Sequence, residues 1–412
     1  MSFVLLGLAL LLRYPVNFLL HRPFLMDFEV YRAIAQRLLQ GEGARLYQPT
    51  SSTMMVFKYA PIWALIWMPL GRLSDHAAAV AWTFLGVLAL LATLLMCSRL
   101  CRRFGIRYHP LTAVATVLIL VRPLAEEMGN GQVNLLWGCL AASFVLAAVA
   151  NRPWRAAAAL AGAILLKLPA LIFLPYLALQ RQWRLLGQTL LMIALALLGS
   201  CAFIAPQDPL GLLGSWAHAL LNNGSAYAFM VGNQSLLVLL ARCFSADGYG
   251  LNVLTLPREA LTWIASGLLA CAMALVALPP ATRRPRSGRF LYDAATLTVL
   301  MVIFSPSCFS ATYTALIFPV FLGLATVTHQ CAQRDPDGGS FALAGVVAGL
   351  SLFTTRRAWS LFHLTSWRGE GYLYIVFMIL PLLGLALLGL LWRGRARTFD
   401  SSATGTSRPS TR

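Results

Sequence analysis

The chain has 412 residues, of which 59% are hydrophobic and only 11% are charged, and its mean hydropathy is +0.72. A soluble domain carries about 25% charged residues, so the composition excludes a soluble globular protein and indicates a membrane protein with several spans. The formal net charge of +18 comes from short arginine clusters between apolar segments, whereas a nucleic-acid-binding face would form one contiguous basic stripe.

The cysteines predict neither a disulfide framework nor a zinc site. Most of the eight lie inside apolar segments, where a free cysteine behaves as a small buried hydrophobic side chain. Cys97 and Cys101 are the one close pair, and no second pair completes a set of zinc ligands. The chain also lacks the phosphate-binding motifs GxxxxGK(S/T) and GxGxxG. We therefore expect no metal and no bound cofactor.

Apolar segments long enough to cross a bilayer recur along the whole chain. The predicted spans cover residues 2–20, 77–98, 110–122, 132–150, 185–205, 260–280, 290–305, 311–328, 341–355 and 372–392. Two shorter segments, 156–167 and 169–180, meet next to Pro169, which disfavours helix at the preceding residue. They predict a hairpin of short helices that enters and leaves the membrane on one side. The fold class is therefore an all-α polytopic bundle of about 12 membrane helices.

Charge distribution predicts the orientation. The segment 2–20 lacks the features of a cleavable signal and is interpreted as a retained span. If residues 57–72 lie flat on the membrane, the arginine-rich loops and both termini fall on the cytoplasmic side. One transmembrane domain then covers 1–397, with a long first outer loop at 21–76, and a disordered cytoplasmic tail follows at 398–412.

Asp27 opens an amphipathic segment of that outer loop, which has an apolar stripe that includes Phe28 and Ile34. The segment ends at Gly41, a typical residue after a helix. Asp27 is either the N-cap of this helix or an ionised acid available to accept a proton. The tryptophans near the predicted span ends are interpreted as anchors at the membrane interface; they are Trp63, Trp67, Trp137, Trp183 and Trp367.

Two adjacent acids, Glu126 and Glu127, follow the predicted span that ends at Arg122. Their burial next to a membrane would be costly, so they are either members of a solvated turn paired with Arg122 or functional acids. Arg122 is also a candidate ligand for an anionic substrate.

Amide side chains recur at two predicted helix starts, as Gln132 with Asn134 and as Asn233 with Gln234. Amides at such positions either join neighbouring helices or bind the hydroxyls of a sugar. Lys167 lies between two leucines at the tip of the predicted hairpin. A lysine there extends to the membrane surface or binds an anion such as a phosphate.

Six segments in one order give the chain a resemblance to glycosyltransferase family 87, the polyprenol-phosphate-mannose-dependent α-mannosyltransferases of the C-type membrane class. These segments are DFEVYRAIAQRLLQGEGARLY, KYAPIWALIWMPLGRL, GNGQVNLLWGCL, LAGAILLKLPALIFLPYLALQRQWR, GNQSLLVLLAR and FSPSCFSATYTALIFP. One departure stands out, because members often carry Trp and His after the Ser-Pro pair. Here those positions are Phe309, Ser310, Ala311, Thr312 and Tyr313.

The resemblance implies an enzyme with a C-type glycosyltransferase fold. It would move a hexose, mannose in the family, from a polyprenyl-phosphate donor to a glycan or glycolipid acceptor, with inversion to an α linkage. The reaction would occur on the outer face of a bacterial plasma membrane, without a metal. Among the residues above, Asp27 matches the catalytic acid of the family.

Further roles come from combining the resemblance with the chemistry of the residues. Lys167 would bind the donor phosphate. Donor contacts are also expected from Arg122, Gln132, Asn134, Asn233 and Gln234, with Glu126 and Glu127 as possible secondary acids. Tyr31, Tyr47 and Tyr59 would line the pocket under the outer loop. The competing function is a transporter or flippase of a lipid-linked or small polar solute, which would favour an inverted repeat; the sequence shows none.

Overall fold

The computed structural model describes residues 25–49, 55–230, 232–245, 253–277, 288–333, 338–353 and 380–392. All regular elements in these ranges are helical, which confirms the all-α prediction for the described part of the chain. The predicted first span 2–20 and the predicted tail 398–412 lie outside the described residues.

The fold consists of α-helices joined by short turns and 3₁₀ segments. In chain order the α-helices are α1 Met26–Leu39, α2 Pro61–Trp67, α3 Asp75–Arg103, α4 Leu111–Ile119, α5 Val121–Asn130, α6 Asn134–Val149, α7 Pro153–Leu166, α8 Phe173–Leu179, α9 Trp183–Ile204, α10 Pro209–Ala228, α11 Leu236–Phe244, α12 Arg258–Ala277, α13 Gly288–Ile303, α14 Ile317–Ala332, α15 Gly338–Phe353 and α16 Leu380–Trp392. The 3₁₀ segments are Gly43–Arg45, Met68–Arg72, Leu168–Ile172 and Ser310–Leu316. Helix α1 ends before Gly41, whose positive φ of 77° suits glycine.

Four helical segments among the described residues are long and apolar enough to cross a membrane. They are α3, α9, α12 and the segment Ser310–Ala332, and the pair α5 and α6 forms a fifth candidate that is bent by 118°. The described residues therefore confirm a membrane protein, while about 12 spans remains a prediction. Helix α2, with seven residues, is about 10 Å long, which is too short to cross a bilayer and fits the predicted flat placement of 57–72.

Helix α3 connects two ends of the molecule. The basic end is the one with Arg103 and Arg107, and the opposite end is the one with Arg32 and Asp75. Arg32 pairs with Asp75 at the start of α3. At its other end Arg103 donates to the Val149 carbonyl at 3.3 Å, and the backbone amide of Arg107 donates to His329 Nδ1 at 3.0 Å. Since α3 has 29 residues and is about 43 Å long, the two ends are farther apart than the hydrocarbon core of a bilayer.

The two short helices around Lys167 form a hairpin. Helix α7 ends at Leu166, Lys167 is extended, and the 3₁₀ segment begins at Leu168, next to Pro169. The residues 148–153 before the hairpin and 181–185 after it line a common surface cavity. Both outer ends of the hairpin therefore lie at the basic end, and Lys167 lies at its tip.

The predicted first outer loop folds around a cluster of aromatic side chains. The Tyr31 ring lies 4.6 Å from Trp67 and 5.2 Å from Trp82, between ring centroids. Trp67 is 2% exposed and Trp137 is fully buried, so the prediction that they are interface anchors is wrong. Their large apolar area is buried inside the protein, because aromatic rings stabilise such a cluster both by burial and by ring contacts.

We predict that the two ends of α3 open on opposite sides of the membrane. Cysteine is introduced at the exposed residue Arg72 or at the exposed residue Arg102, in a chain whose exposed Cys271 and Cys331 are replaced by serine. A membrane-impermeant maleimide should label one of the two positions in intact cells and both in lysed membranes. Labelling of both positions in intact cells would contradict this arrangement.

Candidate active site

A cavity of about 350 Å³ lies at the end of the molecule opposite the basic loops. Its walls come from α1, the segment 55–59, the end of α5, the hairpin tip and the segments 232–234 and 307–312. Residues distant in sequence therefore meet in one space. The candidate residues that line it are Asp27, Tyr31, Tyr59, Glu126, Gln132, Lys167 and Gln234.

Asp27 projects into this cavity from the first turn of α1. The helix begins at Met26 and its N-cap is Leu25, which makes no side-chain cap, so the interpretation of Asp27 as the N-cap is wrong. Burial raises the pKa of the Asp27 carboxyl, while a hydrogen bond from Gln132 and the charges of Lys58 and Lys167 oppose that rise. The carboxylate therefore receives one hydrogen bond and lies near two cations.

A hydrogen-bonded network joins Lys167 to Asp27. The Lys167 ammonium donates to Asn134 Oδ1 and lies 5.6 Å from the centroid of the Trp137 ring. Asn134 Nδ2 in turn donates to Gln132 Oε1 and to Glu127 Oε2, both at 2.7 Å. Gln132 bonds to Asp27. The predicted candidates Gln132 and Asn134 thus position the Asp27 carboxylate and the Lys167 ammonium relative to each other.

The adjacent acids Glu126 and Glu127 have different environments. Glu127 is 2% exposed and accepts the Leu135 backbone N–H at 2.9 Å, so it satisfies the first turn of α6. The interpretation as a solvated turn is wrong for Glu127, because the residues form α5 and turn this carboxylate inward. Glu126 pairs with Arg122 at 2.9 Å, and both side chains are about one-third exposed. Glu126 lines the cavity, whereas Arg122 does not.

The second amide pair fixes the wall of the cavity that faces α1. Asn233 is fully buried, and its Nδ2 donates to the Pro306 carbonyl at 2.6 Å. Gln234 donates its backbone N–H to the Cys308 carbonyl and accepts the Tyr313 hydroxyl at 2.9 Å. Asn233 therefore has a structural position behind the cavity, while Gln234 lines it.

The three candidate tyrosines have separate positions. The hydroxyls of Tyr31 and Tyr59 lie 2.9 Å apart at the cavity wall. Tyr47 donates its hydroxyl to the Tyr59 carbonyl at 3.0 Å and lines a neighbouring groove that shares Val56 with the cavity. Tyr47 thus supports the segment 55–59 and lies outside the cavity itself.

The sequence analysis did not identify Lys58, which also lines the cavity. Burial lowers the pKa of its ammonium group to about 8, with the nearby Asp27 charge opposing this effect. The Trp216 indole donates to the Lys58 carbonyl at 3.1 Å and so fixes this segment. The sequence contains a pattern that could have identified Lys58: of its 32 lysines and arginines, Lys58 and Lys167 are the two lysines. Arginine serves at every other basic position, yet both lysines occur at this cavity.

The cavity combines a carboxylate with two ammonium groups and several hydroxyls. A carboxylate accepts a proton from a bound hydroxyl if it lies within hydrogen-bonding distance. Ammonium groups in a water-poor cavity stabilise negative charge that develops on a leaving group. This arrangement is suited to group transfer between a hydroxyl and a phosphate-linked substrate.

The family model for glycosyltransferase family 87 matches residues 57–306, which is more than half of the chain. The chain belongs to glycosyltransferase family 87. This confirms the predicted family and makes the cavity the candidate active site of a membrane glycosyltransferase.

Two known proteins are similar to this family 87 chain. A polyprenol-phosphate-mannose-dependent alpha-(1-2)-phosphatidylinositol mannoside mannosyltransferase of Mycobacterium tuberculosis is 26% identical over 345 residues, which cover 79% of this chain and 76% of that protein. A crystal structure of ArnT from Cupriavidus metallidurans bound to undecaprenyl phosphate is 16% identical, with a TM-score of 0.44 and coverage of 100% of this chain and 82% of that one.

We predict that Glu127→Gln destabilises this glycosyltransferase. The new amide nitrogen would face N–H donors of Asn134 and Leu135, and a buried polar group without its partner costs about 1–3 kcal/mol. The midpoint of thermal unfolding in detergent should fall. The matched control is Glu126→Gln, since a partly exposed ion pair contributes about 0–1 kcal/mol. Equal midpoints for the two variants would contradict the structural role of Glu127.

Proposed function

We propose that this glycosyltransferase moves a hexose, specifically mannose, from a polyprenyl-phosphate sugar to a hydroxyl of a glycan or glycolipid acceptor. The name of the Mycobacterium tuberculosis relative supports both the mannose and the polyprenol-phosphate donor. Family membership favours a transferase over the transporter or flippase that the sequence left open.

The observation that carries this proposal is the meeting of Asp27, Lys58 and Lys167 in one cavity. In the proposed reaction Asp27 accepts the proton of the acceptor hydroxyl as its oxygen forms a bond to the anomeric carbon. The bond from that carbon to the phosphate oxygen breaks, and its electron pair leaves with the polyprenyl phosphate. Attack from the face opposite the phosphate inverts a β-linked donor to an α-linked product.

The two lysines are suited to bind the phosphate of the donor. Lys167 is held by a neutral amide oxygen of Asn134, so its positive charge is not neutralised by that contact. Burial lowers the pKa of Lys58, and the negative charge of the donor phosphodiester, which increases as the phosphate leaves, would stabilise its ammonium form. Arg122 does not contact the donor in this proposal; it positions Glu126, its ion-pair partner at the cavity wall.

The proposed setting is a bacterial plasma membrane, with the cavity facing outward and both termini in the cytoplasm. The basic loops gather at the end opposite the cavity, and the positive-inside rule assigns such loops to the cytoplasm. Residues 1–397 then form one catalytic domain of about 12 membrane helices. In the labelling experiment above, position 72 should be the one that reacts in intact cells.

We expect Asp27→Asn to lose about 10²–10⁴-fold in turnover, which is the typical contribution of a general base. Asparagine keeps the size of the side chain and a hydrogen bond to Gln132, so donor affinity should change little. The base must be deprotonated, and the pKa of Asp27 is raised. As the pH decreases, wild-type kcat/KM should therefore begin to fall at a pH above the ordinary pKa of an aspartate.

Turnover is measured with purified protein and a synthetic polyprenyl-phosphate mannose donor. The control is Glu29→Gln, an acid of the same helix that pairs with Arg32 and does not line the cavity. Near-normal turnover of Asp27→Asn would assign the base to another residue.

We expect Lys58→Ala and Lys167→Ala each to weaken binding of polyprenyl phosphate, because each removes a cation from a site that binds a phosphate. A charge-assisted hydrogen bond contributes about 1.5–3 kcal/mol, which corresponds to roughly 10–150-fold in affinity. Since the chain has no other lysine, amine-reactive labelling of the wild type, with the N-terminal amine blocked, reports on these two side chains.

Bound polyprenyl phosphate should protect the lysines from that reagent. Neutral polyprenol, the matched ligand without the phosphate, should not protect them. Equal protection by both lipids would show that the phosphate lies elsewhere.

A further inference from the structure

Two polar side chains of the cavity wall have atoms that no described residue satisfies. Gln234 is 3% exposed and Ser310 is 4% exposed, and both line the cavity. Within the described residues, neither Gln234 Oε1 nor Ser310 Oγ has a hydrogen-bond partner. Buried polar atoms are nearly always paired in proteins, so an unpaired amide oxygen and hydroxyl on one cavity wall indicate a ligand that pairs with them.

The backbone of Gln234 holds its loop in place without help from the side chain. Its N–H donates to the Cys308 carbonyl, and its carbonyl accepts the Tyr313 hydroxyl at 2.9 Å. Asn233 ties the same loop to Pro306. The Gln234 side-chain oxygen is therefore not required by any described hydrogen bond of the fold.

Ser310 differs from the other hydroxyl residues of its 3₁₀ segment. Thr312 Oγ1 accepts the backbone N–H of Phe309 at 3.2 Å, and Thr314 Oγ1 donates to the Ala311 carbonyl at 2.8 Å. Both threonines thus satisfy their hydroxyls locally, as is usual in helical turns. Ser310 begins the segment, and its hydroxyl has no hydrogen-bond partner among the described residues, so it is available to a ligand in the cavity.

The chemistry of the two atoms selects the kind of ligand group. An amide oxygen accepts hydrogen bonds and cannot donate them, whereas a serine hydroxyl does both. Ionised phosphate oxygens are acceptors and would be repelled by Gln234 Oε1. A hydroxylated group, such as a sugar ring, supplies the O–H that this oxygen requires and a second hydroxyl for Ser310.

We propose that Gln234 and Ser310 form a subsite that recognises hydroxyls of the transferred sugar, separate from the lysines that bind the donor phosphate. This inference rests on the proposed function and deepens it: the enzyme selects its lipid donor by the sugar hydroxyls as well as by the phosphate. Ser310 lies on the segment 309–313, and Gln234 reaches the same cavity from the segment 232–234.

The test compares two lipids with the full-length protein in detergent. Affinities for polyprenyl phosphate and for polyprenyl-phosphate mannose are measured from the protection of the two lysines against the amine-reactive reagent. The variants are Ser310→Ala and Gln234→Met, which keep the approximate size of each side chain. Thr314→Val is the matched control, because its buried hydroxyl is satisfied within the same 3₁₀ segment.

We expect each variant to lose roughly tenfold in affinity for the mannose donor, about the effect of one hydrogen bond, and to bind polyprenyl phosphate as the wild type does. The control should bind both lipids normally. A monodeoxy mannose donor that lacks the recognised hydroxyl should bind the wild type more weakly, with little further loss in the matching variant.

The subsite is wrong if the variants keep the wild-type affinity for the mannose donor, or if they lose affinity equally for both lipids. If donor affinity is unchanged and the acceptor KM rises, the pair belongs to the acceptor site instead. If the wild type binds polyprenyl phosphate and its mannosylated form equally well, the sugar subsite is contradicted and the proposed function is not. If the wild type binds neither lipid, both the subsite and the proposed function are contradicted.

Discussion

Charged and amide side chains inside an apolar helical bundle must find partners, and this requirement organises the cavity end of the molecule. Lys167, Asn134, Gln132 and Asp27 form one hydrogen-bonded series that connects the hairpin tip, the bent helix pair and the first outer helix. Glu127 joins the series by accepting a hydrogen bond from Asn134, and it also satisfies the first turn of α6. Because an unpaired charge in such surroundings is costly, each element is held in place by the polar groups of the others.

This network pairs the charged groups Asp27 and Lys167 with neutral amides. Asp27 is buried yet receives a hydrogen bond from a neutral amide and lies near two cations, so its carboxylate can still take up a proton. Lys167 donates to an amide oxygen, and the carboxylates of Glu127 and Asp27 lie nearby. The aromatic cluster around Tyr31 and Trp67 encloses this space, which strengthens electrostatic interactions within it.

Local sequence patterns identified most of the polar side chains that line the cavity, but left open interpretations of Asp27 and Glu127 that the structure contradicts. Asp27, Gln132 and Lys167 stood out because polar groups are rare in so apolar a chain. Glu127 looked like a solvated acid, since the sequence could not show that the start of α6 lies beside it. Lys58 and Ser310 were missed because a lysine next to an outer loop and a serine in a Ser-Pro segment are ordinary surface residues until the fold encloses them.

The sequence by itself determined the helical class, the membrane environment and the short hairpin around Lys167, because these follow from apolar segment length, low charge content and the effect of Pro169 on the preceding residue. It also determined that polar groups of many loops belong to one end, through the distribution of arginines. Only the tertiary structure decided that Asp27 is not a helix cap, that Trp67 and Trp137 are buried, and that both lysines of the chain meet at one cavity. Those outcomes depend on contacts between residues separated by tens to hundreds of positions, which no local pattern contains.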